Sequence, residues 1–268
     1  MAPAYTHGHA ESVLRSHRTR TAANSAAYLL GELRPGQALL DIGSGPGTIT
    51  ADLARLVAPG RVTALETSDE IVALTRTGIT GAGVENVDYL VGDVHALDLP
   101  DDSFDVVHAH QVLQHLPDPV QALREMVRVC RPGGVVAVRD ADYEAFTWYP
   151  TSPWLDRWLA LYRDLARRND GEPDAGRRLL SWALAAGADP ARVTATASVW
   201  CYADDESRTA WGLGWADRIV HSAVASQSLA AGLATPTVLN EIANAWRTWA
   251  ATPDGWFTLL HGELLIRV

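Results

Sequence analysis

A chain of 268 residues fits one α/β domain with additions, or two small domains. Its 47% apolar and 20% charged residues are ordinary for a globular protein with a sizeable core. A formal charge of −10 with no basic stripe argues against nucleic acid as a partner, and no apolar run approaches the ~20 residues that span a bilayer.

Cys130 and Cys201 are too few for a disulfide framework, and Met1 to Arg20 has no apolar core of a signal peptide. The expected setting is therefore the cytoplasm, with a reducing redox poise.

Residues 1–10 read as an arm, and 11–33 as a helix with Val13, Leu14, Ala22, Ala26, Leu29, Leu30 and Leu33 on one period. Pro35-Gly36 ends it. Strand 1 is expected over 37–42, a glycine turn follows, and a helix runs over 48–57 to Pro59-Gly60. Strand 2 is Val62 to Leu65, ending at Glu66; Ser68 caps a helix over 69–77. Strand 3 is Val87 to Val91, ending at Gly92-Asp93, and strand 4 is Phe104 to His110. A helix over 118–130 stops at Arg131-Pro132-Gly133-Gly134, and strand 5 is Val135 to Arg139. Strands alternating with helices at this spacing predict an α/β fold, a parallel sheet covered on both faces.

Beyond strand 5 the texture changes, for all ten Trp residues lie at or after position 148. Helices are expected over 154–168, 174–186, 205–232 and 236–250, and strands over Val193 to Tyr202 and Trp256 to Val268. The chain thus divides into an N-terminal arm and helical lid (1–35), a cofactor half (36–145) and a remainder (146–268). The last carries helical cap insertions near 146–172 and 204–251.

The stretch Asp41-Ile42-Gly43-Ser44-Gly45-Pro46-Gly47 carries the first chemical signal. Glycines allow a sharp turn and leave room for a ligand against the backbone. The spacing Gly-x-Gly-x-Gly differs from the dinucleotide fingerprint, and a carboxylate just before the turn disfavours a pyrophosphate. It suits a ligand with a cationic end. Glu66 can accept both hydroxyls of a ribose, and Asp93 the amino group of an adenine. An ammonium, a sulfonium, a ribose and an adenine together describe S-adenosylmethionine.

The set DIGSGPG (41–47), ALETS (64–68), GDV (92–94), FDVVHAHQVLQHLPDP (104–119) and RPGGVV (131–136) resembles the class I methyltransferases. More narrowly it resembles their ubiquinone/menaquinone-biosynthesis-like small-molecule members. The resemblance covers about 37–140. It implies a Rossmann-like, seven-stranded, mostly parallel sheet whose last strand is antiparallel. It implies that Asp41, Gly43, Gly45 and Gly47 shape the methionine pocket, Glu66 binds ribose and Asp93 with Val94 hold adenine. His110 and Gln111 would line the methionyl side.

Other residues keep two readings. His108 and His110 share one face of strand 4, but a metal needs convergent ligands and only Asp140 and Asp142 are near, so no metal is expected. His115, His110 or Asp140 could be a general base, and His115 could equally pack a loop. Tyr5, His7 and His9 belong to an arm that either folds over the cofactor or stays solvated. Arg139, Asp140 and Asp142 sit at the sheet's carboxyl edge, where they either meet substrate or cap the next segment. Tryptophans on helices mostly fill core, but here Trp148, Trp154, Trp211 and Trp215 are candidates for an aromatic pocket wall.

The expected activity is methylation of a small, fairly apolar acceptor, with secondary metabolism as a setting and a monomer or homodimer as the state. A peptide or protein terminus as acceptor, a cofactor-binding regulator and, more distantly, a nicotinamide oxidoreductase are the alternatives.

Overall fold

The computed structural model describes Thr6 and residues 17–268. Its strands are β1 (Leu39–Ile42), β2 (Val62–Glu66), β3 (Val87–Val91), β4 (Phe104–His110), β5 (Cys130–Ala141), β6 (Thr147–Tyr149), β7 (Val193–Tyr202) and β8 (Trp256–Arg267). They form one sheet. β3, β2, β1, β4 and β5 lie side by side and parallel. Antiparallel β8 follows, with β5 and then β6 along one of its edges and β7 along the other. The sheet is thus seven positions wide, and the short β6, which the sequence did not signal, continues the line of β5.

The helices are α1 (Ala22–Ser25), α2 (Thr48–Val57), α3 (Asp69–Gly81), α4 (Pro119–Val129), α5 (Pro153–Arg168), α6 (Leu179–Ala186), α7 (Asp205–His221), α8 (Ala223–Ala230) and α9 (Pro236–Ala251). Their starts follow cap chemistry: Ser68, Asp118 and Thr235 each accept the backbone N–H three residues on. The single helix expected over 205–232 is two helices. Ser222 donates its hydroxyl to Arg218 O, ending α7, and accepts the Val224 N–H, starting α8. The long N-terminal helix is also corrected. Among the described residues, His17 and Arg18 are helical, the helix breaks at Thr19 and Arg20, and the segment then makes α1, capped by Thr21 and Asn24, and a turn of 3-10 helix at Leu30–Glu32. Tertiary contact overrides its helical period, since Ala22, Ala26, Leu29 and Leu33 all bury against the sheet.

The turn expected at Arg131 to Gly134 lies inside β5. Phe104 pairs with Cys130 and Val106 with Val135, so four residues bulge out between two paired stretches.

Strand alternation places two cores. Leu39, Val62, Val106, Ala137 and Leu265 face α2 and the N-terminal segment. Leu40, Val107, Val136, Val138 and Ile266 face α4 and α6. On the first face, the same alternation carried toward the carboxyl ends brings out Asp41, His108, His110, Arg139, Glu263 and His261. That face is apolar at one end and polar at the other. A third, aromatic core packs α5, α7, α8 and α9 on the early part of β8.

Candidate active site

The polar end of the sheet opens into a cavity of about 580 Å³, within the range of small-ligand pockets. Asp41, at the tip of β1, lies on its wall. Asp41 Oδ2 accepts the Thr50 hydroxyl at 2.6 Å and Oδ1 the His108 Nδ1–H at 2.7 Å, so the first turn of α2 and β4 both hold it. Each oxygen keeps a further lone pair.

The glycine turn has separable duties. A Cβ on Gly43, at φ +71°, would lie 2.5 Å from Val112 Cγ2, so close packing of two loops requires glycine there. Gly45, at φ +53°, is different: a Cβ would meet no protein atom within 4 Å, and the free space is the cavity. Gly47 caps α2 from behind and does not line the opening.

Glu66 ends β2 and is buried; its Oε1 accepts the Gly45 N–H at 2.5 Å, joining the second carboxylate to the turn. Burial raises its pKa, and the hydrogen bonds from Gly45 and Thr67 act against that rise. Asp93 Oδ1 accepts the backbone N–H of His95 at 2.9 Å and pairs with its Nδ1 at 2.7 Å. These bonds, the backbone one first, hold the Asp93 pKa down. Val94 is buried beside it on the same wall. The loop after β3 has no regular structure; Arg128 fixes it by donating to Leu97 O, Leu99 O and the Asp101 carboxylate.

Gln111 follows β4 at φ +55°, a left-handed conformation that costs about 1 kcal/mol outside glycine. Three bonds hold it. Its N–H donates to Arg139 O at 2.7 Å and its Oε1 accepts Arg20 Nη2 at 2.7 Å. Its Nε2 donates to His261 Nε2 at 2.8 Å, because the amide oxygen is already taken by Arg20. Arg20 and His17 also line the cavity. The sequence reading missed them. Only their basic character signals a role, since nothing local shows that the segment before α1 returns to the sheet edge.

His115 lies on the cavity wall, and burial, then Arg20, pushes its pKa down to about 4. Gln114 Oε1 accepts the Ala141 N–H, so its amide nitrogen, at 3.0 Å, donates to His115 Nε2. That lone pair is engaged. Asp140 is corrected more firmly. It is fully buried behind the cavity, accepts the Gln114 N–H at 3.1 Å, and desolvation lifts its pKa to about 8. It supports the loop and does not reach the opening.

Arg139 does not line the cavity either. It is buried, donates to Glu263 at 3.1 Å and to Ser198 at 3.0 Å, and thereby ties β5, β8 and β7 together. Asp142 is held by both ends of the Arg177 guanidinium at 2.7 Å. The expected tryptophan wall is also corrected. Trp215 packs on Trp158 at 4.7 Å, Trp211 stacks on Tyr202 at 4.4 Å, and Trp148 stacks on Phe257 at 5.7 Å, all away from the cavity. Tyr5, His7 and His9 lie outside the described residues. Among the described residues, no three His, Cys, Asp or Glu side chains are placed to hold a metal ion, and no helix is long and apolar enough to cross a membrane.

The arrangement of acids, glycine turn and sheet order has relatives. Residues 40–138 match the model of a methyltransferase domain. An uncharacterized methyltransferase of Schizosaccharomyces pombe is 32% identical over 272 residues, spanning 98% of this chain and 96% of its own. The chain belongs to the class I S-adenosylmethionine-dependent methyltransferases.

Other likenesses to this methyltransferase are partial or concern the fold. A ubiquinone/menaquinone biosynthesis C-methyltransferase of Hahella chejuensis is 33% identical over 132 residues, 48% of this chain and 51% of that one. The solved structure of the YcgJ protein of Bacillus subtilis superposes with a TM-score of 0.54 at 20% identity, covering 90% of this chain and 98% of that one. The cofactor of this methyltransferase is S-adenosylmethionine, which supplies an activated methyl group on sulfur. The cavity fits it in size, in the open space beside Gly45, and in carrying the carboxylates of Asp41, Glu66 and Asp93 and the guanidinium of Arg20 on its wall.

Proposed function

We propose that this methyltransferase acts on a small, largely apolar acceptor of secondary metabolism. The observation that carries the reading is the composition of the cavity wall. His17 and Arg20 of the chain's own N-terminal segment form part of it, and its apolar members include Ile42, Ile71, Val112, Leu116 and Pro117. A wall closed by its own chain and greased by aliphatic groups suits a small molecule better than an extended peptide.

In this reading Asp41 meets the cofactor's ammonium and Arg20 its carboxylate, a division of charge that the wall supports. Gly43 and Gly45 let the methionyl chain lie against the turn. Glu66 takes the ribose hydroxyls, and Asp93 and Val94 the adenine edge. The segment before residue 36 acts as a lid, and α5 with α7 to α9 braces the acceptor side. Orientation of the acceptor supplies much of the rate, since holding two reactants in near-attack geometry is worth ~7–11 kcal/mol. The chain's contribution is to seat the acceptor, exclude water and receive any proton it releases.

The test is transfer from S-adenosylmethionine labelled with deuterium in the methyl group into cell extract, separated by mass. Label in the low-mass fraction is the expected outcome. Label confined to peptides or proteins would overturn the reading in favour of a polypeptide acceptor.

A further inference from the structure

His110 stands apart among the groups around the cavity. It is 6% exposed, lies on the cavity wall, and neither ring nitrogen has a hydrogen-bond partner among the described residues. Every other polar side chain of that strand end is engaged: His108 by Asp41, Gln111 by Arg20 and His261, Arg139 by Glu263 and Ser198. Buried polar groups without partners are rare, and one that faces a ligand cavity marks where a ligand supplies the partner.

The surroundings fix what His110 offers. Trp200 sits 5.8 Å from it and His261 6.3 Å. Trp200 is itself pinned, with Arg139 4.8 Å over its ring, Arg20 at 5.6 Å, and its Nε1–H donated to Asn24 O. Burial first, then Arg20, Arg139, His261 and His108, holds the His110 pKa well below its ordinary value. The ring is therefore neutral at physiological pH, with one N–H and one lone pair. A carboxylate can only accept from the N–H and leaves the ring's lone pair without a donor. An ammonium would add a third positive charge next to Arg20 and Arg139. A hydroxyl can donate to the lone pair or accept from the N–H without placing charge there.

Resting on the small-acceptor reading above, we propose that the acceptor carries a hydroxyl group and that His110 is the residue that seats it. His110 is then a specificity-determining residue for the acceptor, reassigned from the methionyl side of the cofactor where the family resemblance would put it. His115 Nε2 is engaged by Gln114, and His95 and His108 each keep one unpartnered nitrogen while the other pairs with a carboxylate, so His110 differs from them in having both ring nitrogens without a partner among the described residues.

The experiment uses the full chain loaded with S-adenosylhomocysteine and three matched probes: 2-naphthol, 2-methoxynaphthalene and naphthalene. Affinities come from calorimetry, and the histidine rings are followed by NMR of 13Cε1-labelled protein. The expected result is that 2-naphthol binds at least tenfold more tightly than the other two. It shifts one imidazole resonance, the one missing from His110→Phe. His110→Phe loses that tenfold preference and holds S-adenosylhomocysteine within twofold of wild type, which also reports that it is folded. His110→Gln, which can still donate and accept, recovers part of the preference. Equal binding of 2-naphthol and naphthalene overturns the proposal, as does an unchanged preference in His110→Phe. Loss of S-adenosylhomocysteine affinity in both variants also overturns it and assigns His110 to the cofactor. If none of the three probes binds the wild type, the small apolar acceptor is what fails, and the hydroxyl seat falls with it.

Discussion

The cofactor half and the tryptophan half of the molecule are both well packed, but they treat polar atoms and empty space in opposite ways. Around β1, β2 and β4 the chain keeps a cavity open and surrounds it with carboxylates already tethered to backbone or hydroxyl groups. In the second half, aromatic rings pack on one another in the core. Trp158 meets Trp215 at 4.7 Å, Trp246 at 4.9 Å and Phe257 at 6.1 Å. The lesson is that aromatic residues concentrated outside a cofactor domain need not line a pocket. Here they build the wall's foundation, and the wall itself comes from the strand ends and the segment before α1.

The sharpest way to break this contrast is Trp158→Ala. A fully buried ring in that cluster is expected to cost about 3–5 kcal/mol of stability. S-adenosylhomocysteine affinity of the folded protein should stay within twofold. Chemical denaturation and calorimetry read the two effects separately, and a large loss of affinity would mean that the halves are coupled.

The second test is pH. His110, His115 and His261 all have folded pKa values depressed below the 6.5 of a free imidazole, so the unfolded chain takes up protons as pH falls below that point and stability drops. Asp140 works in the other direction. With a folded pKa of about 8 against 3.8 unfolded, it favours the fold at low pH, and that contribution fades as pH rises from 4 to 8. Glu66, raised by burial, adds slightly in the same sense. The net expectation is a stability maximum near pH 6.5. The acid arm is steeper, each unbalanced proton weighing about 1.4 kcal/mol per pH unit. Asp140→Asn should flatten the alkaline arm and steepen the acid arm, since the Asp140 proton offsets one histidine proton between pH 4 and 6.5. Melting temperature between pH 4.5 and 8.5 measures both, and an unchanged alkaline arm would contradict the buried, protonated Asp140.

Glu66→Gln probes the open half alone. The amide can still accept the Gly45 N–H, so stability should move by less than about 1 kcal/mol. Cofactor affinity should fall about tenfold, or ~1.4 kcal/mol. Titration with S-adenosylhomocysteine reads it. The smallest effect belongs to Trp154→Ala. One helical turn before Trp158 in α5, Trp154 is 38% exposed, and its loss should cost under about 1 kcal/mol by the same denaturation assay. The pair would show that burial in the cluster, and not tryptophan itself, sets the energy.

Much of the cofactor half could be read in the sequence because its signals are local. A glycine turn, a cap such as Ser68 and an alternating run such as Val106 to His110 each depend on a few neighbours. The parts that could not be read depend on distant ones. Nothing near Asp140 shows that the Gln114 N–H claims one of its oxygens and desolvation keeps the proton on. Nothing near Arg20 shows that it grips Gln111, 91 residues away. Trp148, Trp211 and Trp215 carry the composition of a pocket wall, yet their neighbours across α5, α7 and α9 decide that they are core. Ser222 was legible in principle as a cap, but the helix expected over 205–232 ran through it.

The placement of β8 has a consequence for how the protein is made. Arg139 of β5 and its partner Glu263 are 124 residues apart in the chain, and all of β6 and β7 is synthesised between them. While the ribosome makes that stretch, β5 has β4 on one side and an open edge on the other, and β6 and β7 have no partner at all. The cofactor half can assemble as it emerges, but the guanidinium of Arg139 waits for its carboxylate until β8 arrives. Completion of the sheet is thereby a late event, and the nascent chain carries an unpaired parallel edge for most of its second half, which is when a chaperone would have most to do.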